Sequence, residues 1–214
     1  MKKILIIICI FTISITNAQT KNSKSNSNKK TRFGLIAGLN IANTSLTGDG
    51  VPSTKSITDF HGGAFVDIEI NEKFHIQPEL IYSGQGSKFD LLVNVDGTNY
   101  NTTNEFRLSY INLPVMFKYY PQKSFYLAAG PQLGFLTSST LKVSVIGQSI
   151  EQDAKDFFTS TDMGLNIGTG YEFTDNFFAN AQYNIGLSNI AVTEPGDNSK
   201  IKNRVFQLSL GYKF

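Results

Sequence analysis

From Arg32 onward, apolar and polar residues alternate with a period of two, and no segment keeps the 3.6-residue period of a helix. The last segment shows this most plainly. Phe206, Leu208, Leu210, Tyr212 and Phe214 fall on one face, and Gln207, Ser209, Gly211 and Lys213 fall on the other. The same alternation runs through 162–173 and 177–186, and through Arg32 to Ala42, Asp59 to Ile70, Phe74 to Gly86, Glu105 to Tyr120 and Ser124 to Leu136. Together these predict eight strands. The connections alternate in length: 71–73, 121–123 and 174–176 are tight turns, and the regions around 43–58, 87–104, 137–158 and 187–203 are long. An antiparallel up-and-down barrel has this rhythm, and outer-membrane barrels place short turns in the periplasm and long loops outside. An even strand count then puts both termini on the periplasmic side.

The two faces also predict the surroundings. The polar set carries Asp67, Glu69, Glu79, Lys118, Glu172 and Lys213. One Lys or Arg on the lipid face at the bilayer midplane costs roughly 2–4 kcal/mol, so in a membrane this set faces the lumen. In a soluble barrel the assignment inverts. Aromatic residues favour the membrane: Phe33, Phe74, Tyr119, Phe125, Phe173, Phe177 and Tyr212 band the short-turn end, as an interfacial girdle does, while Phe60, Tyr82, Phe135 and Phe206 mark the other end. The expected fold is therefore all-β, an eight-stranded antiparallel up-and-down transmembrane β-barrel over residues 32–214. Pro78, Pro114 and Pro131 fall inside these strands and remove ladder donors, which predicts bulges or weakened pairing there.

Composition narrows the setting. Met1-Lys2-Lys3, the apolar run Ile4 to Ile15 and Thr16-Asn17-Ala18 read as a signal peptide cleaved after Ala18 (1–18), because the run is shorter than the roughly 20 residues of a spanning helix. Residues 19–31, rich in Ser, Asn and Lys without an apolar residue, read as a flexible periplasmic leader. Cys9 is the single cysteine and lies in the apolar run without a lipobox before it, so the processed chain carries no disulfide or thiol chemistry. Removing Lys2 and Lys3 takes 19 basic residues to 17, against 17 acidic ones, so no basic excess supports a nucleic-acid partner.

The ordered segments 34–40 (Gly-Leu-Ile-Ala-Gly-Leu-Asn), Gln77-Pro78-Glu79-Leu80, Tyr110-Ile111-Asn112-Leu113-Pro114 with Lys118-Tyr119-Tyr120, Ala129-Gly130-Pro131, 183–187 and Gly211-Tyr212-Lys213-Phe214 resemble the PorT-like family of outer-membrane β-barrel proteins across nearly all of the processed chain. That resemblance places prolines inside the strands. It implies a small barrel, some of whose relatives serve a secretion apparatus tied to gliding or protein export. Phe214 resembles the terminal aromatic residue that the barrel-assembly machinery reads. The implied partners are outer-membrane lipid, that machinery during biogenesis, and a protein met through the long loops.

For chemistry, the inward charges read as a lumen salt-bridge network, since eight strands enclose a space that side chains fill; the alternative is a selective ion path. The inward glycines Gly34, Gly38, Gly63, Gly130, Gly134, Gly164, Gly168 and Gly170 make room for bulky inward residues such as Tyr110, Phe65 and Tyr126, or else enlarge a cavity. His61 and His75 fall at opposite ends of neighbouring strands, which leaves no metal site, and no cofactor motif occurs. The leading reading is a structural or interaction barrel working through its long loops, without catalytic residues. A narrow channel, a rim-located lipid-modifying or proteolytic enzyme built on His61 with Asp59 and Ser56, and a soluble lipocalin-like binder are the alternatives.

Overall fold

The computed structural model describes residues 30–48, 52–95, 97–145, 148–193 and 198–214. The expected signal peptide and all of the expected leader except Lys30 and Thr31 lie outside them, and Thr31 itself opens the first strand opposite Ile68. The strands are β1 (Thr31–Thr47), β2 (Ile57–Asn71), β3 (Phe74–Val95), β4 (Thr98–Gln122), β5 (Phe125–Val145), β6 (Gln148–Asp153), β7 (Thr161–Glu172), β8 (Phe177–Gly186) and β9 (Lys200–Lys213). All but β6 form a closed antiparallel ring, in which β4 pairs with β5 and β9 pairs with β1. The ring therefore has the eight strands that the alternation predicted, and β6 is added along the outer part of β5.

Two expected loops are largely strand. Pairing of β3 with β4 continues from Ser87↔Phe106 out to Val95↔Thr98, and β5 runs to Val145 before β6 turns back along it. Phe89, Leu91 and Val93 keep period two through this region, but the polar residues around them gave it the look of a loop. The short turns are closed by local side chains. Asn71 Oδ1 accepts from the amides of Lys73 (2.9 Å) and Phe74 (3.0 Å), and Thr174 Oγ1 accepts from those of Asn176 (3.2 Å) and Phe177 (3.0 Å).

The prolines weaken pairing without creating bulges. The β3–β4 ladder lapses between Pro78↔Val115 and Ile81↔Asn112, and the β4–β5 ladder lapses between Pro114↔Gln132 and Phe117↔Ala129, with the register unchanged on either side. Missing amide donors account for both gaps.

Outward positions of the ring run Phe33, Leu35, Ala37, Leu39, Ile41 on β1 and Met163, Leu165, Ile167, Thr169, Tyr171 on β7, with similar sets on the other strands and no charge among them through the belt. Leu35 and Leu210 are each 55% exposed. A continuous apolar surface of this extent requires a membrane around it and excludes the soluble lipocalin-like arrangement. On β7's outward face the Thr169 hydroxyl is satisfied by donating to the carbonyl of Tyr126 (2.9 Å). Rings meet around the short-turn end, with Phe74 and Tyr119 centroids 5.2 Å apart and Tyr212 and Phe214 edge to face at 5.4 Å.

Candidate functional site: the lumen and its mouth

Inward residues fill the barrel in three layers. The layer nearest the short turns is charged and aromatic. Asp67 on β2 meets Lys213 Nζ on β9 at 2.8 Å, His75 Nδ1 on β3 at 2.6 Å and Lys118 Nζ on β4 at 3.7 Å. Lys213 also meets Glu172 on β7 at 2.5 Å, and the Tyr120 hydroxyl donates to Glu172 at 2.6 Å. Lys118 donates to Gln77 Oε1, whose amide in turn donates to Glu79 at 2.7 Å. The cations also lie over rings: Lys118 Nζ is 4.3 Å from the Tyr126 centroid, and Lys213 Nζ is 5.5 Å from that of Phe178. Lys118 and Lys213 are only 2% and 1% exposed, so removing any partner leaves a buried charge uncompensated.

Of the six residues expected in this network, the structure brings together five. Asp67, Lys118, Glu172 and Lys213 pair directly, and Glu79 joins through Gln77. Glu69 shares their face but sits half-buried beside the turn and makes no ion pair among the described residues. His75, Gln77 and Tyr120 were missed, although each lies on the inward parity of its strand. Glycines give way to rings here. A Cβ on Gly34 would lie 2.2 Å from Phe65 Cζ, and one on Gly170 would lie 2.2 Å from Tyr126 Cζ.

The middle layer is polar and centred on His61. Asn40 Nδ2 donates to Ser83 Oγ (2.9 Å) and to the Gly84 carbonyl (2.7 Å), which leaves Asn40 Oδ1 as the acceptor for His61 Nδ1 (2.7 Å) and Gln207 (2.9 Å). His61 Nε2 then accepts from Ser209 Oγ at 2.8 Å. A hydroxyl, an imidazole and an orienting amide in this order have the connectivity of a nucleophile–base pair. The space beside them, however, is a cavity of about 10 Å³, room for roughly one water and not for an acyl group. His61 is thus a lumen residue and not a rim residue. The expected grouping with Asp59 and Ser56 does not form, because Asp59 caps the Phe60 amide (2.8 Å) and Ser56 is exposed. The polar layer continues through Asn184, Asn166 and Gln132, joined at 2.7 and 2.9 Å, to Asp162, which accepts from Ser188 (2.7 Å) and Asn203 (2.8 Å).

An apolar lid closes the third layer. Leu108, Tyr110 and Leu136 on the wall pack against Ala154, Phe158 and Ile190, which a short 3-10 turn (Lys155–Phe157) and the segment before β9 fold over the opening. The Thr159 amide bonds the Ile190 carbonyl (2.8 Å), and the Ile190 amide bonds that of Ile201 (2.9 Å), which fixes the cover. Beyond the lid lies a second, almost wholly apolar cavity of about 260 Å³. Farther out, Lys55 and Asp90 pair at 2.6 Å, and this ammonium, with a bond from Thr103 (2.7 Å), holds the Asp90 carboxyl below its ordinary value. Among the described residues no cluster of His, Cys, Asp or Glu could hold a metal ion.

A closed eight-strand ring, an uncharged apolar belt and aromatic bands define an outer-membrane β-barrel protein. The comparisons agree with that class. Residues 17–192 match the family model of the outer membrane protein beta-barrel domain, so the chain belongs to that family, and it resides in the bacterial outer membrane. No curated protein matches the sequence. Among solved structures it is similar to Ail, the attachment invasion locus protein of Yersinia pestis (15% identity, TM-score 0.50, covering 86% of this chain and 99% of that one). Neisserial surface protein A is similar too (16% identity, TM-score 0.50, covering 85% and 97%). At these identities the likeness concerns the fold alone. β9 lies beyond the family match, yet it closes the ring.

Proposed function

We propose that this barrel is a structural or interaction protein, a rigid membrane anchor that displays the β3–β4 and β5–β6 hairpins to a protein partner, as an accessory of a secretion or surface apparatus. The observation that carries the reading is the filling of the lumen by three successive layers, which leaves the protruding hairpins as the part free to engage anything. Their tips present apolar side chains to solvent, Leu92 at 76% and Ile150 at 66% exposed. The resemblance to PorT-like barrels supports the secretion role. Both described ends lie at the short-turn end, where the Lys213 amide bonds the Asn176 carbonyl (2.7 Å) and the Glu69 amide bonds that of Lys30 (3.1 Å). We take that end as periplasmic, and Phe214, exposed beside Tyr212, as the residue read by the barrel-assembly machinery.

Photo-crosslinking residues placed at Leu92 and Ile150 in living cells test this reading. A discrete envelope-protein adduct from these positions, absent from the lipid-facing position Leu35, is the expected result. Equal labelling at all three positions, or none at the hairpins, would remove its basis.

A further inference from the structure

The cavity above the lid goes beyond an interaction role. We propose that it is a binding site for one medium-length alkyl or acyl chain, with the ligand's polar head left at the mouth. Its walls are Leu46 on β1, Phe89 on β3, Phe106 on β4 and Ile201 on β9, and its floor is Leu108 and Phe158. The lining surface is almost wholly carbon, and among the described residues no carboxylate contributes to it. The buried hydroxyls at its edge are satisfied within the protein: Thr44 and Ser87 bond each other at 2.6 Å, and Thr54 donates to the Thr44 carbonyl at 2.7 Å. Thr47 and Lys200 also line it and are exposed, which puts the remaining polar groups on its solvent side. Size sets the ligand. An apolar cavity of about 150 Å³ takes benzene, so about 260 Å³ admits a chain of about ten carbons. A shape closed below by Leu108 and Phe158 and open above admits such a chain end-on. The same chemistry is available from a free carboxylic acid or from the tail of a membrane lipid.

The chain has no tryptophan, so Phe89→Trp places a single reporter in the cavity wall, and Phe33→Trp places a control on the lipid belt at the short-turn end. Each full-length variant is incorporated into phosphatidylcholine nanodiscs and titrated with 11-bromoundecanoate. Saturable quenching of Phe89→Trp near one equivalent, reversed by unbrominated undecanoate and weakened at least tenfold by adding Ile201→Phe, is the expected result for a free acid. Phe33→Trp should quench only in proportion to acid dissolved in the bilayer. In a second arm, brominated phosphatidylcholine replaces the acid, and quenching of Phe89→Trp as deep as that of Phe33→Trp assigns the cavity to a lipid tail. If neither probe quenches Phe89→Trp, or if undecanoate fails to compete with the brominated acid while brominated lipid also leaves the reporter bright, the proposal is overturned. Heat-modifiable migration confirms that Ile201→Phe folds, and the competition result stands without it.

Discussion

Below the apolar lid, every strand gives its inward side chains to a packed interior in which charges meet opposite charges and glycines face rings. Above the lid, β3, β4 and β5 leave the ring, β6 joins them, and apolar residues such as Leu92 stand in solvent. Both regions have the same antiparallel pairing and the same period of two. They differ in what surrounds them: lipid and a filled lumen below, water above. Backbone pairing therefore does not distinguish the anchor from the working surface, whereas the cost of changing a side chain should.

The largest effect is expected at Asp67, which faces Lys213, Lys118 and His75. Asp67→Asn should destabilise the folded barrel by about 3–5 kcal/mol, because two buried ammonium groups lose their shared carboxylate. A shift in the urea midpoint of refolding into lipid vesicles measures it. Next is the belt. Leu210→Arg, on the lipid face of β9, should cost about 2–4 kcal/mol in the same assay. Smaller again is Gly170→Ala, whose added carbon would lie 2.2 Å from the Tyr126 ring; overpacking of this kind costs about 1–3 kcal/mol and should displace the ring.

The smallest effect should lie above the lid. The Asp90 carboxyl is held below its ordinary value by the Lys55 ammonium, so its folded-state value is depressed. Its pairing therefore stabilises the hairpin above the ordinary carboxylate range and is lost as pH falls through the folded-state value. The amide protection factor at the Lys55–Lys88 bridge, corrected for the intrinsic exchange rate at each pH, should fall on acidification, while that of Lys213 in the lower layer stays high. An equal loss of protection in both places would erase the distinction between the regions.

How much of this could be read from the sequence follows the same division. In the barrel body, one face had to be free of charge to meet lipid, so parity alone assigned Asp67, Lys118, Glu172 and Lys213 inward. It missed their neutral partners Gln77 and Tyr120, because an uncharged inward residue carries no penalty that marks it. Glu69 was misplaced for a related reason: parity gives a residue's face but not its height, and Glu69 is close enough to the turn to stay half-exposed. His61 was drawn toward Asp59 and Ser56 by closeness in sequence, whereas its partners Asn40 and Ser209 come from β1 and β9, which only ring closure brings beside it. Beyond the membrane no face has to be uniformly apolar, so the polar residues around Phe89, Leu91 and Val93 made the strand residues at 87–95 and 98–104 look like a loop.

The central claim is a barrel whose lumen is filled and whose engagement takes place at its outer end. Recording the purified full-length protein in planar bilayers tests it most directly. The account predicts a baseline without reproducible conductance steps at either polarity, whereas stable unitary currents abolished by a bulky inward substitution such as Ser83→Phe would contradict it.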